Sequence, residues 1–357
     1  MLSGVRCCWR STTAAFIYGP FCVLWVPSRP FLSRELQEAK FTDRFESVKR
    51  AFDPTVQTLD LSRSSLVSVD GLTDLKALQT LNLSSCYHLH DVDGLKDLKA
   101  LQTLDLSDCM WLANVDGLKG LTALVTLNFK GCGALKNVDA LEDCKALEAL
   151  TLRGCWQLMN VDGLKDLKAL RTLDLNGCGQ LKNVDGLKGL KALQTLDLGG
   201  CRWLTNVDGL KDLEALETLY LYGCEHLPNV DGLKGLKALR MLNLIGCKKL
   251  ANVDGLKDLN ALQTLNLTGC EQLASVDGLK DLKTLRHLWL GKSKRLTNVD
   301  ALKDFKALQT LGLSCEHLAN VDWLKGLSAL KTLTLSYGFR RADITALMIS
   351  KRCRRSI

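Results

Sequence analysis

The pair Val-Asp returns every 23 residues along most of this 357-residue chain, its aspartate falling at Asp70, Asp93, Asp116, Asp139, Asp162, Asp185, Asp208, Asp231, Asp254, Asp277 and Asp300. A last step of 22 reaches Asp322, because "LSCEHL" lacks the glycine present in "LYGCEHL". A fixed period of this length restricts the chain to stacked units, since one unit alone cannot cover its own apolar side chains. Inside a unit those side chains hold the pattern LxxLxLxxCxxLxxVxxLxxLxx, as in Leu101, Leu104, Leu106, Cys109, Leu112, Val115, Leu118 and Leu121. The LxL core alternates with period two and predicts a short strand with one face buried. The return arm spaces its apolar residues by three, as a 3-10 turn or short helix does. Asp116, just ahead of Gly117-Leu118-Lys119, is expected to cap that turn.

The string LxxLxLxxC followed by xxLxxVxxLxxL resembles the leucine-rich repeat family. The three-residue spacing of the return arm is similar to the short internalin and phosphatase-regulator classes, and the cysteine followed by xxL to the cysteine-containing class. The wording "NVDGLK(D/G)LKAL(Q/R)TL(D/N)L" also resembles the multi-copy leucine-rich repeat proteins of trypanosomes. The resemblance covers residues 55–336. It implies an α/β solenoid, a horseshoe with a parallel concave sheet of about thirteen short strands, from Leu59/Leu61 to Leu333/Leu335, and a convex side of 3-10 or short-helix turns. Some trypanosome relatives carry a zinc-binding RING domain, but this chain has no CxxC pair to hold such a metal.

The ends read differently. Residues 1–34 hold no acidic side chain but include Arg6, Arg10, Arg29 and Arg34, a composition that resembles a mitochondrial presequence. Ala14–Val26 is an alternative secretory core, although Pro20 interrupts it and no A-x-A site follows. The expectation for 1–34 is a disordered or targeting extension. Within 35–54, Phe41, Phe45, Val48 and Phe52 fall at helical spacing and predict a helix capping the first repeat. Residues 337–357 form a C-terminal cap candidate, "ADITALMISK", and a solvated basic tail with Lys351, Arg352, Arg354 and Arg355. The formal net charge of +8 belongs to these two ends, because Lys/Arg and Asp/Glu balance within the repeats. A neutral repeat surface gives no electrostatic reason to expect nucleic acid there. Association with nucleic acid through the basic tail is the weaker alternative. No apolar run approaches the roughly 18 to 20 residues that span a bilayer.

Ten of the fifteen cysteines occupy one repeat position: Cys86, Cys109, Cys132, Cys155, Cys178, Cys201, Cys224, Cys247, Cys270 and Cys315, with Ser293 taking that place once. The expectation is a buried ladder of free thiols, each a weak donor toward loop backbone. Cys144, in place of a core leucine, is read likewise. So many unpaired thiols favour a reducing compartment, and the localisation expected is cytoplasmic, with mitochondrial or secreted as alternatives. The sequons at Asn82 and Asn266 would set glycans in the middle of the concave sheet. The five histidines show no catalytic or metal spacing, and the glycines after Val-Asp or before the ladder cysteine read as turn residues. No cofactor and no enzymatic activity are expected.

Function is then sought where the copies differ. The convex lysine column is nearly constant, from Lys96 and Lys119 to Lys303 and Lys325. The strand residues between and after the leucines vary, and there Tyr220, Tyr222, Ile245 and Trp289 gather over neighbouring repeats, with His287 two residues before Trp289. Lys130 and Arg153 add a basic spot a few repeats earlier, expected to tune orientation. Trp111, Trp156 and Trp203 sit on edge loops just after the ladder cysteine. Aromatic side chains on a rigid scaffold make good binding anchors. The expected role is a scaffold that binds a protein partner on its concave face; the alternative is a secreted or cell-surface adhesin or receptor of the same fold.

Overall fold

The computed structural model describes residues 53–314 and 322–335, and the backbone of 354–355. The N-terminal extension, all but the last two residues of the capping segment, Cys315, Ser336 and the C-terminal helix candidate lie outside the described residues. The LxL cores form parallel strands: β1 Thr58–Asp60, β2 Thr80–Asn82, β3 Thr103–Asp105, β4 Thr126–Asn128, β5 Ala149–Thr151, β6 Thr172–Asp174, β7 Thr195–Asp197, β8 Thr218–Tyr220, β9 Met241–Asn243, β10 Thr264–Asn266, β11 His287–Gly291, β12 Thr310–Ser314 and β13 Thr332–Leu335. Each pairs with its sequence neighbours in one sheet, residue against equivalent residue, as in Leu196↔Leu219 and Leu219↔Leu242. A fourteenth strand, β14 Arg354–Arg355, pairs with Thr332 and Leu333 of β13. The expectation of a wholly solvated tail is corrected here. An edge strand offers unpaired N–H and C=O groups, and this short segment of tail backbone covers them at the last repeat.

The leucines and valines of the repeat pattern are buried in the described units, except Leu61 in the first and Leu330, Leu333 and Leu335 in the last, which are half-buried; the strand residues on either side of each first leucine face the open side of the sheet. The return arm runs on bonds three residues apart, Leu118 N–H to Val115 O, Leu121 to Leu118 and Leu124 to Leu121. Its first turn is a 3-10 helix beginning at the aspartate, as in Asp116–Leu118. That aspartate is therefore inside the turn and does not cap it. Its own N–H is received by the side chain two residues earlier, Asn114 Oδ1 at 2.8 Å, and the same bond is made in eleven units, by Asn, Ser or Asp. The freed carboxylate reaches the lysine three residues on, in Asp116–Lys119, Asp185–Lys188, Asp231–Lys234, Asp254–Lys257 and Asp322–Lys325. These exposed pairs contribute little stability. They do give these five members of the constant lysine column a local partner.

Glycine after Val-Asp has a different cause from the turn role expected. A β-carbon on Gly186 would lie 2.1 Å from the carbonyl oxygen of Val161 in the preceding unit, so the glycine marks close approach of two backbones. The glycine before the ladder cysteine is a turn residue as expected, with φ of +72° at Gly200.

The thiol ladder matches its reading. Cys86, Cys109, Cys132, Cys144, Cys155, Cys178, Cys201, Cys224, Cys247 and Cys270 are all free and buried. Each ladder thiol from Cys86 to Cys270 donates to the carbonyl of the second leucine of the preceding strand segment, or of Phe129 in that place, at 3.1–3.4 Å. Cysteine there is small enough to be buried, and its thiol shares a carbonyl that also accepts a bond from the turn of its own unit, as Leu83 O accepts Cys86 N–H. Burial pushes the thiols of Cys109, Cys201 and Cys270 up to about 12. Thiolate is the reactive form. Iodoacetamide at neutral pH is accordingly expected to spare the ladder from Cys109 to Cys270 in the folded protein and to label it after denaturation, as read by peptide mass spectrometry. Labelling of these cysteines in the folded protein at the rate of a free thiol would contradict the ladder.

Candidate functional site

The side chains between the two leucines of each strand segment were expected to vary freely. Eight of them do not. Asp60, Asn82, Asp105, Asn128, Asp174, Asp197, Asn243 and Asn266 each accept the N–H of the residue two positions on, at 2.7–3.0 Å. This Asx turn closes the strand and hands the chain to the cysteine loop. The recurrence of Asp and Asn in the column was the available signal. Among the described residues, Tyr220, Trp289 and Gly312 bring no acceptor within reach of that N–H, and Thr151 does not make the bond. Three of those interruptions bring the expected site residues: Arg153 follows Thr151, Tyr222 follows Tyr220, and Trp289 is itself one.

The structure ties Arg153 to Tyr222, although three strands separate them. Arg153 Nε donates to Asp174 Oδ2 at 2.9 Å, and its terminal nitrogen reaches Asp197 Oδ2 at 3.4 Å. Asn176 Nδ2 donates to Asp197 at 3.3 Å and to the Tyr222 hydroxyl. The two carboxylates are deeply buried, Asp174 at 4% and Asp197 at 3% exposure. Arg153 is thus one member of a compensated polar network, and the expected basic spot with Lys130 is corrected: Lys130 is exposed and stands apart from this network. The ring of Tyr222 lies over Gly199, where an added β-carbon would fall 2.3 Å from Cζ. Burial, with the field of Asp197, raises the pKa of both Tyr220 and Tyr222, so their hydroxyls stay protonated at neutral pH.

A second aromatic group stands on β11. His287 and Trp289 stack with centroids 6.1 Å apart and planes 18° from parallel. The indole lies against Gly312 of β12, where an added β-carbon would fall 2.6 Å from Cδ1. Desolvation and nearby Arg286 lower the pKa of His287, which leaves a neutral imidazole beside the indole. Ile245 is half-buried and occupies the column of Tyr222 one repeat later. Sequence reading missed Met241, which takes the usual threonine position of β9 and pairs in register with Thr218 and Thr264. Asp174, Asp197 and Asn176 were also passed over as ordinary members of their columns.

Asp197 carries a pH signature. Burial raises its pKa above 3.8, Asp174 adds to the rise, and Gly199 N–H, Asn176 and Arg153 oppose it. A carboxyl whose pKa is higher folded than unfolded contributes stability below the unfolded value, and that contribution is lost as pH rises through the folded value. Asp197→Asn keeps an oxygen for the Gly199 N–H, as Asn243 and Asn266 do at this position, and leaves Arg153 with Asp174. At neutral pH the variant is expected to be between neutral and about 1 kcal/mol more stable, with a flatter acid dependence. Thermal unfolding from acid to neutral pH checks this; a clear loss at neutral pH would show that the Arg153 contact outweighs burial.

The fold agrees with the comparisons. The chain belongs to the leucine-rich repeat family: the model for the leucine-rich repeat region matches residues 131–348. An internalin from Listeria monocytogenes shares the fold with a TM-score of 0.61 at 17% identity, over 85% of this chain and 83% of that one. An internalin C2 from the same organism is similar at 25% identity with a TM-score of 0.44, over 50% of this chain and 76% of that one. A leucine-rich repeat protein from Leptospira interrogans is similar at 20% identity with a TM-score of 0.41, over 87% of this chain and 98% of that one. No curated protein matches the chain. Among the described residues no helix is long and apolar enough to cross a membrane.

Proposed function

We propose that the protein is a non-catalytic scaffold that captures a protein partner on the concave face of its repeat sheet. The observation that carries this reading is the seating of the aromatic rings. Tyr222 and Trp289 each lie over a glycine of an adjoining repeat, so they are held in place before any partner arrives. Rings held in advance lose little freedom on binding, which favours them as anchors. Tyr220, Ile245 and His287 extend the apolar surface between and beside them. Arg153, fixed by Asp174 and Asp197, presents a positioned guanidinium at one end. Lys130 adds an exposed charge at the rim of the same face.

A reducing compartment, the cytoplasm first, is part of the proposal. The free thiol ladder supports it. So does Asn266, whose side chain is buried and whose oxygen accepts the Thr268 N–H, leaving no place for a glycan.

The test uses Tyr220→Ala with Trp289→Ala in the full chain, Tyr222 being kept because its hydroxyl joins the polar network. Proteins recovered by affinity capture with the wild type are expected to be lost with the double variant. The melting temperature should stay within about 2 °C, as for surface substitutions. Recovery of the same proteins by both would refute the site.

A further inference from the structure

The loops after the ladder cysteines line one edge of the solenoid, and five successive units alternate there: "MWLAN" after Cys109, "GALKN" after Cys132, "WQLMN" after Cys155, "GQLKN" after Cys178 and "RWLTN" after Cys201. A tryptophan stands in every second unit, and a glycine with a lysine, Gly133 with Lys136 and Gly179 with Lys182, stands between. Trp111, Trp156 and Trp203 are 61%, 53% and 50% exposed, and Met110 and Met159 beside them are exposed as well. Large apolar side chains gathered this way on a folded surface mark an interaction site. None of these five loops contains an acidic residue, and among the described residues Lys136, Lys182 and Arg202 make no ion pair.

The same edge is built differently further on. There Glu225 pairs with Lys248 at 3.2 Å and Glu271 with Lys294 at 2.9 Å, so cations and anions satisfy one another between neighbouring units. The tryptophans also lean apart. Trp156 lies back over Gly133, whose β-carbon would fall 2.2 Å from its ring. Trp203 leans forward and stacks on His226 at 4.4 Å. Gly179, between them, has nothing within 4 Å of where a β-carbon would be, so the floor between the two indoles is open.

The geometry points to this edge as a second docking surface, for an acidic amphipathic α-helix of a protein partner laid across the repeats. Two strand spacings amount to about 10 Å, and seven residues of α-helix rise about 10.5 Å. One apolar side chain per heptad would meet the tryptophans and the open floor between them. Acidic side chains half a heptad away would meet Lys136 and Lys182. Exposed methionines suit such a partner, because their unbranched side chains adapt to a helix laid in a groove. The surface is separate from the concave face, so either can fail alone.

The test is selection from a displayed library of random peptides of about 20 residues, long enough for three helical heptads. It is panned on the full chain and counter-selected on Trp111→Ser/Trp156→Ser/Trp203→Ser. Expected are acidic sequences with apolar residues seven apart. The best of them should bind the triple variant roughly thirtyfold more weakly. Lys136→Glu/Lys182→Glu should weaken it about tenfold, the effect fading at high salt. Enrichment of sequences that are basic, proline-rich or indifferent to the tryptophans would overturn the proposal, as would no enrichment at all. Capture of the wild type, but not the triple variant, by phosphatidylserine–phosphatidylcholine vesicles without any such peptide would overturn it in favour of a lipid surface.

Discussion

Gly186→Val is expected to lower stability by about 3 kcal/mol or more, measured as the fall in denaturant midpoint at constant slope. The cause is local and hard. A β-carbon at this place would stand 2.1 Å from Val161 O, 2.5 Å from Val161 C and 2.8 Å from Asp162 N. All three are backbone atoms of the preceding unit, so no side chain can turn aside to make room. The units must part, and the leucine contacts on both sides of the opening weaken with them. Ala140, which occupies the same repeat position and is buried, sets the control: a single methyl can be accommodated. Gly186→Ala should therefore lose clearly less than the valine variant. Equal stability of Gly186→Val and wild type would mean that the spacing of the units is not set by this contact.

The opposite sign is expected where the unit of β11 departs from its siblings. Lys292 holds a φ of +57° at a position given to glycine in seven other units, from Gly131 to Gly269. An L-residue pays about 1–2 kcal/mol in this region. Ser293, next to it, replaces the ladder cysteine, and its hydroxyl is buried with no hydrogen-bond partner. An unsatisfied buried polar group costs about 1–3 kcal/mol. Lys292→Gly/Ser293→Cys should thus stabilise the protein by about 2 kcal/mol or more, with each single change giving part of the gain. Hydrogen exchange should slow most around β11 and β12 if the effect is local. A double variant no more stable than wild type would show that the neighbouring units already absorb both irregularities.

The period of 23, the strand over LxL and the turn over the three-residue spacing were legible because burial leaves those letters no freedom. Leu104, Val115 and Leu118 can be read as core from spacing alone. The thiol ladder was legible for the same reason. What escaped were side-chain hydrogen bonds, some local and some between units. Asn114 binds two residues along its own chain, so its recurrence could have been read as a turn bond. Arg153 is another matter. Its partners lie 21 and 44 residues away, and only the register of β5 against β6 and β7 brings them together. Taken alone it looked like a free charge. Tyr222 over Gly199 and Trp289 over Gly312 were hidden likewise, since a glycine in a variable column looks like an absence and is in fact the seat of a neighbour's ring.

The direction of the cysteine bonds has a consequence for how the chain is made. From Cys86 to Cys270 every ladder thiol reaches backward, to a carbonyl of the turn that leaves the ribosome before it. A nascent turn thus finds its acceptor already in place and need not wait for residues still untranslated. Growth and folding can advance together, one coil at a time, with the newest leucines resting on a finished surface while the remainder is being synthesised.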